Sequence, residues 1–207
     1  MDQVKTKLNK LLQKHVPENA VHYCLDLWLA MPFHFKVTRT RNSKLGDYRH
    51  DRRTASHSIS INHELNPYSF VITYIHEVAH LLTTTRKQGK VAPHGVEWQA
   101  NFKELMLPIL SDLVFPGEIL APLSKHMKKP KATFYTDAKL VQALRKYDEH
   151  ESELMPLSLL NEGDKFVFNR RMFTKLSLRR TRVLCQEADS PKKYLISKLA
   201  LVRSLTD

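Results

Sequence analysis

Apolar residues recur every three to four positions in two stretches near the start of the chain, at residues 8–16 and 21–29. This spacing places the apolar side chains on one face of a helix. Proline lacks the N–H group that a continuing helix needs, so Pro17 and Pro32 mark the two helix ends. The pattern predicts two amphipathic helices.

An alternation of apolar and polar residues follows, which is the period of a half-buried strand. It occurs at residues 33–40 and again at residues 58–62, so we expect a strand at each place. The basic stretch between them contains Gly46 and fits a turn, with room for one further short strand. Helical spacing then returns, which predicts helices over residues 67–82 and from Trp98 onward, joined by a polar loop.

Four prolines between residues 108 and 130 interrupt the periodicity. We expect extended and exposed chain over residues 122–135, and then a short helix over residues 137–147. Residues 165–207 contain short β-like runs separated by turn signals. The chain is therefore predicted to have an α+β fold.

We expect three regions in this fold. Residues 1–115 would form the main domain, with helices packed on a small, mostly antiparallel sheet. Residues 116–164 would form a linker with a short helix, and residues 165–207 a small, basic, β-rich appendage.

The net charge of +12 in 207 residues is the unusual bulk property. A field of this sign favours anionic partners, above all nucleic acid. The hydrophobic fraction of 42% is ordinary for a globular protein, and two cysteines are too few for a disulfide framework. The sequence has no run of 18 apolar residues and no apolar secretory core. We therefore expect a cytoplasmic protein with no membrane partner.

The segment His76-Glu77-Val78-Ala79-His80 has the HExxH pattern. Two histidines four residues apart lie on one helix face, so both imidazoles can reach one metal ion. Glu77 is rotated from them and can accept a proton from water without binding the ion. A stripe on the opposite side would face the core, and the histidine side would open to a cleft. The stripe consists of Val71, Ile75, Val78 and Leu82.

A catalytic zinc site usually has three protein ligands and one open position. His94 is the preferred third ligand, because it follows a loop long enough to return the chain to the helix. Gly95 would let the backbone pass close to that helix. Glu97 and Glu104 remain alternatives. The extended metzincin pattern is absent, since Thr83 and Arg86 occupy its last positions.

Two motifs resemble the SprT-like domain shared by bacterial SprT proteins and eukaryotic Spartan. The first is SISINHELNPYSFVITYI followed by HEVAH, and the second is PHGVEWQANFKEL. The segment Leu45-Gly46-Asp47-Tyr48-Arg49 also fits, and the resemblance covers about residues 17–115.

The resemblance implies a zincin-like fold with one Zn²⁺ bound by His76, His80 and His94, and Glu77 as the catalytic residue. It also implies a protease that acts on proteins linked to DNA. Many SprT proteins carry a C-terminal zinc ribbon of cysteine pairs, whereas this chain has only Cys185 in that region. A second zinc is therefore not expected.

A basic cluster in the C-terminal region is a candidate nucleic-acid site. It consists of Arg170, Arg171, Lys175, Arg179, Arg180 and Arg182. Arginine binds phosphate, and the interleaved Phe168 and Phe173 could stack on bases if they are exposed. The alternative is a solvated basic face with both phenylalanines buried. A second set, near the metal site, could extend the track: Arg39, Arg41, Arg49, Arg52 and Arg53.

The sequence thus predicts a zinc metallopeptidase that uses a Glu-activated water and acts on proteins, with DNA as a further partner. The alternatives are a nucleic-acid-binding protein with a structural or silent zinc site, and a zinc hydrolase of another substrate class. Peptide hydrolysis also needs a group that stabilises the oxyanion. Tyr48, Arg49 and Tyr74 are the candidates.

Overall fold

The computed structural model describes residues 2–39, 44–87, 92–148, 154–198 and 200–205. Contacts divide the chain into two compact units, one built mainly from residues up to 149 and the other mainly from residues 150 onward. The first contains helices and a sheet, and the second is mostly sheet, so the predicted α+β class is confirmed. No helix in the described ranges has the length and apolar character needed to cross a membrane.

The first unit contains six helices and three strands among the described residues. They are α1 Asp2–His15, α2 Val21–Ala30, β1 His34–Thr38, β2 Gly46–Asp51, β3 Ser56–Asn62, α3 Pro67–Arg86, α4 Val96–Met106, α5 Gly117–Lys128 and α6 Ala138–Arg145. Both N-terminal helices and both alternating strands lie where the periodicity predicts them. The basic stretch around Gly46 is a strand, β2.

The sheet of the first unit has the strand order β1-β3-β2. β1 runs parallel to β3, and β2 runs antiparallel to β3 with Tyr48 opposite Ile59. Ile59 and Ile61 are buried, because this face of the sheet packs on α3. β1 and β2 are therefore the edge strands.

Helix α3 begins at Pro67 and is capped by Asn66, whose side chain accepts a hydrogen bond from the Ser69 N–H. Its core stripe is buried as predicted. However, Thr73 and Glu77 are also buried, at 4% and 6% exposure. The prediction that the histidine side of α3 opens to a cleft is thus wrong in part, because β2 covers part of that side.

The C-terminal end of α3 extends four residues beyond the prediction, to Arg86. The hydroxyl groups of Thr83, Thr84 and Thr85 each donate to the carbonyl oxygen four residues earlier, at 2.6, 2.9 and 3.0 Å. These bonds give each threonine hydroxyl a partner inside the helix, although threonine is a weak helix former.

The prediction of extended, exposed chain over residues 122–135 is wrong. Helix α5 continues through Pro122, and Ile119, Leu123 and Met127 are buried on one face of it. Burial of three such side chains stabilises the helix by about 1.5–3 kcal/mol each. That outweighs the roughly 3 kcal/mol that an internal proline costs.

Helix α6 lies within the predicted short helix and is capped by Asp137. Because α5 and α6 pack on one another inside the first unit, residues 116–148 are part of a folded unit and not a linker. The division between the two units falls near residue 150.

The second unit is a six-stranded sheet in the order β4-β9-β5-β6-β7-β8, with antiparallel neighbours throughout. The strands are β4 Leu154–Pro156, β5 Lys165–Phe168, β6 Arg171–Leu178, β7 Arg182–Glu187, β8 Lys193–Ser197 and β9 Leu201–Ser204. The sheet encloses its own apolar core, which includes Phe166, Phe173 and Val183. The predicted β-rich character is confirmed. The sheet begins before residue 165, because its first strand in the chain is β4.

Candidate metal centre

Three imidazoles converge at one point in the first unit. The Nε2 atom of His80 lies 3.2 Å from Nε2 of His76 and 3.0 Å from Nε2 of His94, and the third side of the triangle is 3.1 Å. His76 and His80 lie one turn apart on α3, and His94 lies in the loop before α4. We call these three residues the histidine cluster.

Hydrogen bonding alone does not explain this triangle. The Nε2 atom of a neutral imidazole carries either one hydrogen or one lone pair, so it cannot both donate and accept. Among three such nitrogen atoms, only one pair can therefore form a good hydrogen bond. The third nitrogen then faces another nitrogen without a good hydrogen bond.

A cation satisfies all three nitrogens together. Bond lengths of 2.0–2.1 Å in a tetrahedral zinc site put ligand nitrogens about 3.3 Å apart. The observed 3.0–3.2 Å separations are close to that value. The three histidines thus lie close enough to bind one metal ion, as the sequence predicts.

His94 reaches the cluster through a left-handed backbone conformation, with φ +60°. Such a conformation is uncommon in a residue other than glycine and costs about 1–3 kcal/mol. The Gln99 side chain donates to the His94 carbonyl at 3.2 Å and holds the turn. Gly95 allows a close approach as expected, but to the carbonyl oxygen of Ala92, not to α3.

The aromatic side chains of α4 support the cluster from behind. The Trp98 ring lies 4.6 Å from the His76 ring and 4.7 Å from the His94 ring, and Phe102 stacks on Trp98 at 4.9 Å. Trp98 and Phe102 are buried, as predicted for anchors of this helix. Close packing of this kind restricts rotation of the imidazoles.

Burial keeps the three imidazoles neutral. Removal from water lowers the pKa of His76 well below its usual value, lowers that of His80 to about 4, and lowers that of His94. Neutral imidazole is the form that binds a metal ion. The cluster is therefore ready to bind a cation at neutral pH.

No known protein family, curated protein or solved structure matches this chain. The resemblance to the SprT-like domain consequently rests on the sequence motifs, and its implications for activity are proposals.

The alternative ligands Glu97 and Glu104 point elsewhere. Both carboxylate oxygens of Glu104 accept hydrogen bonds from Arg86, at 2.6 and 2.7 Å, and Glu97 lies 3.8 Å from the Lys87 ammonium group. Within the described residues, no other group of three His, Cys, Asp or Glu side chains comes close enough to hold an ion.

The remaining histidines do not join the cluster. His126 is buried near Asp137, His15 stacks on Phe70, and His50 stacks on His57. His22, His34 and His63 are exposed, and His150 lies outside the described residues.

Glu77 lies beneath strand β2. Its side chain is only 6% exposed, and it contacts Gly46, the first residue of that strand. Tyr48, two residues further along β2, stacks its ring parallel to the His80 imidazole with centroids 6.3 Å apart. The pattern of the sequence does not predict these two contacts. A glycine inside a short strand is the signal that could have found the first, because it often marks a close approach.

Two candidates for oxyanion stabilisation are engaged elsewhere. Tyr74 is fully buried and donates its hydroxyl to the Cys24 carbonyl at 2.8 Å. The Arg49 guanidinium is 77% exposed and pairs with Asp47 at 2.7 Å. Tyr48 lies at the cluster, but its hydroxyl shares a hydrogen bond of 2.9 Å with Nδ1 of His57.

The basic cluster of the second unit does not form one patch. Arg170 and Arg171 lie at the start of β6, and Arg179, Arg180 and Arg182 lie around the turn after it. β6 has eight residues, which corresponds to roughly 23 Å along the strand. We call the group at the turn between β6 and β7, Arg179, Arg180 and Arg182, the arginine turn.

Lys175 is not available to a phosphate. It is 4% exposed and donates its ammonium group to the Leu160 carbonyl at 2.5 Å. Phe173 is 2% exposed and so cannot stack on a base, and Phe168 is partly buried against the same core. The prediction for Lys175 is therefore wrong, and the buried alternative holds for Phe173.

The two ends of β6 also differ in charge balance. Arg171 forms a salt bridge with Glu187, and its guanidinium lies 4.6 Å from the centre of the Tyr194 ring. In the described part of the chain, no guanidinium of the arginine turn forms a salt bridge with a carboxylate. Positive charge is therefore unbalanced at the arginine turn.

Four members of the second predicted basic set belong to the first unit. These members, Arg39, Arg49, Arg52 and Arg53, are exposed, and Arg41 lies outside the described residues.

Proposed function

We propose that this protein is a zinc-dependent metallopeptidase. The observation that carries the proposal is the triangle of Nε2 atoms, 3.0–3.2 Å on each side. Two of its three histidines lie on the same helix as the buried Glu77. Three neutral imidazoles are a known ligand set for catalytic zinc. A purely structural site would usually have a fourth protein ligand, and it has no use for the carboxylate.

Each side chain has a separate role in this proposal. His76, His80 and His94 would hold the ion. Zinc at that position would supply Lewis acidity, which lowers the pKa of water towards 7 and polarises a carbonyl group. Glu77 would accept a proton from the attacking water and then deliver it to the amine nitrogen that leaves.

The position of β2 favours a peptide as the substrate. β2 is an edge strand, and no strand among the described residues pairs with its outer side. An edge strand offers backbone N–H and C=O groups to an extended chain. Since β2 also contacts Glu77, a peptide added there would lie next to the site of hydrolysis.

The motif resemblance supports the same assignment. The HEVAH and PHGVEW segments are similar to those of the SprT-like domain, in which three histidines bind zinc and the glutamate is catalytic. The proposed fold within the α+β class is accordingly the zincin-like SprT domain.

The decisive experiment is cleavage of an unstructured protein such as casein by the zinc-loaded chain, with Glu77→Gln as the variant. We expect Glu77→Gln to retain zinc and to lower kcat/KM by about 10²- to 10⁴-fold, because it removes the general base. Equal cleavage by both proteins would contradict the proposed role of Glu77. Zinc binding with no cleavage by the wild type would instead favour the silent-site alternative, and turnover of only small amides or esters another class of hydrolase.

Nucleic acid is proposed as a second partner, bound through the arginine turn. Three exposed arginines, which form no salt bridge with any carboxylate that the structure describes, can neutralise phosphates there. Lys198 lies beside them, with its ammonium group donating to the Arg180 carbonyl at 3.3 Å. Proteins associated with DNA are then the proposed substrates. Cleavage assays with and without single-stranded DNA test this, and an accelerating effect is expected only at low salt.

A further inference from the structure

Alternate residues of β2 face helix α3. Gly46 pairs with Ile61 and Tyr48 pairs with Ile59, and both isoleucines are buried against the helix. Since successive side chains of a strand point to opposite faces, positions 46 and 48 share the face that covers α3. They meet two different functional side chains of that helix.

At position 46 the strand approaches α3 so closely that only glycine fits. A Cβ atom there would lie 2.5 Å from Oε1 and 2.8 Å from Cγ of Glu77, and 2.8 Å from Cγ2 of Thr73. Thr73 cannot easily move away, because its hydroxyl donates to the Ser69 carbonyl at 2.7 Å and its side chain is buried. A methyl group would therefore displace the Glu77 carboxylate.

At position 48 the strand supports a cluster histidine. The planes of the Tyr48 and His80 rings differ by only 5°. The Tyr48 hydroxyl shares a hydrogen bond of 2.9 Å with Nδ1 of His57 on the neighbouring strand. The phenol ring is thus fixed at its far end and lies against the imidazole.

We propose that β2 is a positioning strand, in which Gly46 sets the place of the Glu77 carboxylate and Tyr48 sets the plane of the His80 imidazole. Neither residue takes part in proton transfer. The functional meaning of the Glu77 position rests on the peptidase proposal, whereas the Tyr48 contact concerns metal binding alone.

Gly46→Ala tests the first half, with Gly117→Ala as the matched control. A Cβ atom at Gly117 meets no atom within 4 Å. We expect Gly46→Ala to keep one zinc per chain and to lower kcat/KM on casein by about 100-fold, the effect of a misplacement of about 1 Å. Gly117→Ala should match the wild type. Wild-type activity of Gly46→Ala would overturn the proposal.

A second variant separates the carboxylate from the fold. The double variant Gly46→Ala with Thr73→Ser removes the Thr73 methyl group but leaves the conflict with Glu77, so its activity should stay low. Recovery of activity would overturn the proposal, because the conflict would then lie at Thr73. Loss of zinc or of folding in both variants would also overturn it, since Gly46 would then serve the fold.

A readout without peptidase activity keeps the two proposals distinguishable. The pH dependence of the visible spectrum of the Co²⁺-loaded protein should shift in both Gly46→Ala and Glu77→Gln, and stay unchanged in Gly117→Ala. Casein left intact by the wild type would count against the peptidase, whereas an unshifted Gly46→Ala spectrum would count against the positioning strand.

Tyr48→Ala and Tyr48→Phe test the second half through zinc affinity, measured by competition with a chromogenic chelator. Loss of a group that orients a ligand typically costs 10- to 100-fold in metal affinity. We expect at least a tenfold loss for Tyr48→Ala, and rescue to within about threefold by Tyr48→Phe, which keeps the stacked ring. Unchanged affinity of Tyr48→Ala, or equal losses in both variants, would overturn this half.

Discussion

The histidine cluster and the arginine turn bring together three side chains each, but in opposite physical settings. The imidazoles are partly buried, neutral, and fixed by the rings of Trp98 and Tyr48. The three arginines are exposed, and none of them forms a salt bridge with a carboxylate in the described residues. The first setting suits directional bonds to one ion, and the second suits attraction to an extended anion whose exact position matters little.

The largest expected effect follows from removal of the third ligand. His94→Ala leaves two imidazoles. Loss of a residue that only orients a metal ligand lowers metal affinity by up to roughly 100-fold, so we expect zinc affinity to fall by more than that when the ligand itself is lost. His63→Ala is the matched control, because His63 is exposed and outside the cluster. Metal content after dialysis measures the effect, and stoichiometric zinc in His94→Ala would show that another group completes the site.

Acid should next destabilise the metal-free protein. Burial lowers the pKa of His15, His57 and His126 in the folded chain, as well as those of the three cluster histidines. The unfolded chain therefore binds more protons than the folded chain below about pH 6.5.

The free energy of unfolding should consequently fall as the pH drops from about 6.5 towards 4, where His80 itself becomes protonated. Urea midpoints in the presence of a chelator measure this. A midpoint that stays constant over that range would mean that the imidazoles are not buried as neutral groups.

A smaller effect, on the free energy of unfolding, is expected for Lys175, which is buried, unlike the arginines around it. Lys175→Ala removes the partner of the buried Leu160 carbonyl, so we expect a loss of about 1–3 kcal/mol in the free energy of unfolding. Binding of single-stranded DNA by the folded variant should not change. If DNA affinity fell while stability was kept, Lys175 would have to reach the surface.

The smallest effect concerns single arginines of the turn. Arg180→Gln should leave stability unchanged and reduce the slope of log affinity against log salt by about 1, as expected for one lost phosphate contact. Arg171→Gln is the comparison, because Arg171 is already neutralised by Glu187 and should contribute less. Equal slopes in both variants would remove the distinction between the two ends of β6.

The contrast between the two regions also shows what local sequence can predict. His76 and His80 were identifiable because the period of a helix places residues four apart on one face. His94 followed from the chemistry of a three-ligand site. Burial of a side chain in or next to a strand is harder to predict from the sequence. Lys175 and Arg180 belong to the same basic cluster in the sequence, although Lys175 is buried and Arg180 is exposed.

Long-range packing accounts for what the periodicity did not show. Pro122 is held inside α5 by apolar contacts that only the assembled core provides. The approach of Gly46 to Glu77 joins residues 31 positions apart, through a strand that pattern alone left open. The residues that flank Gly46 and Glu77 in the sequence do not predict that the two lie so close together.

X-ray absorption at the zinc edge of the purified, zinc-loaded chain tests the central claim most directly. One zinc ion per chain is expected, with three imidazole nitrogens at about 2.0–2.1 Å and one oxygen ligand, whereas His94→Ala should bind less zinc and show a weaker imidazole signal for the zinc that it retains. A spectrum without histidine scattering, or a chain that retains no zinc, would contradict the metal centre and with it the peptidase.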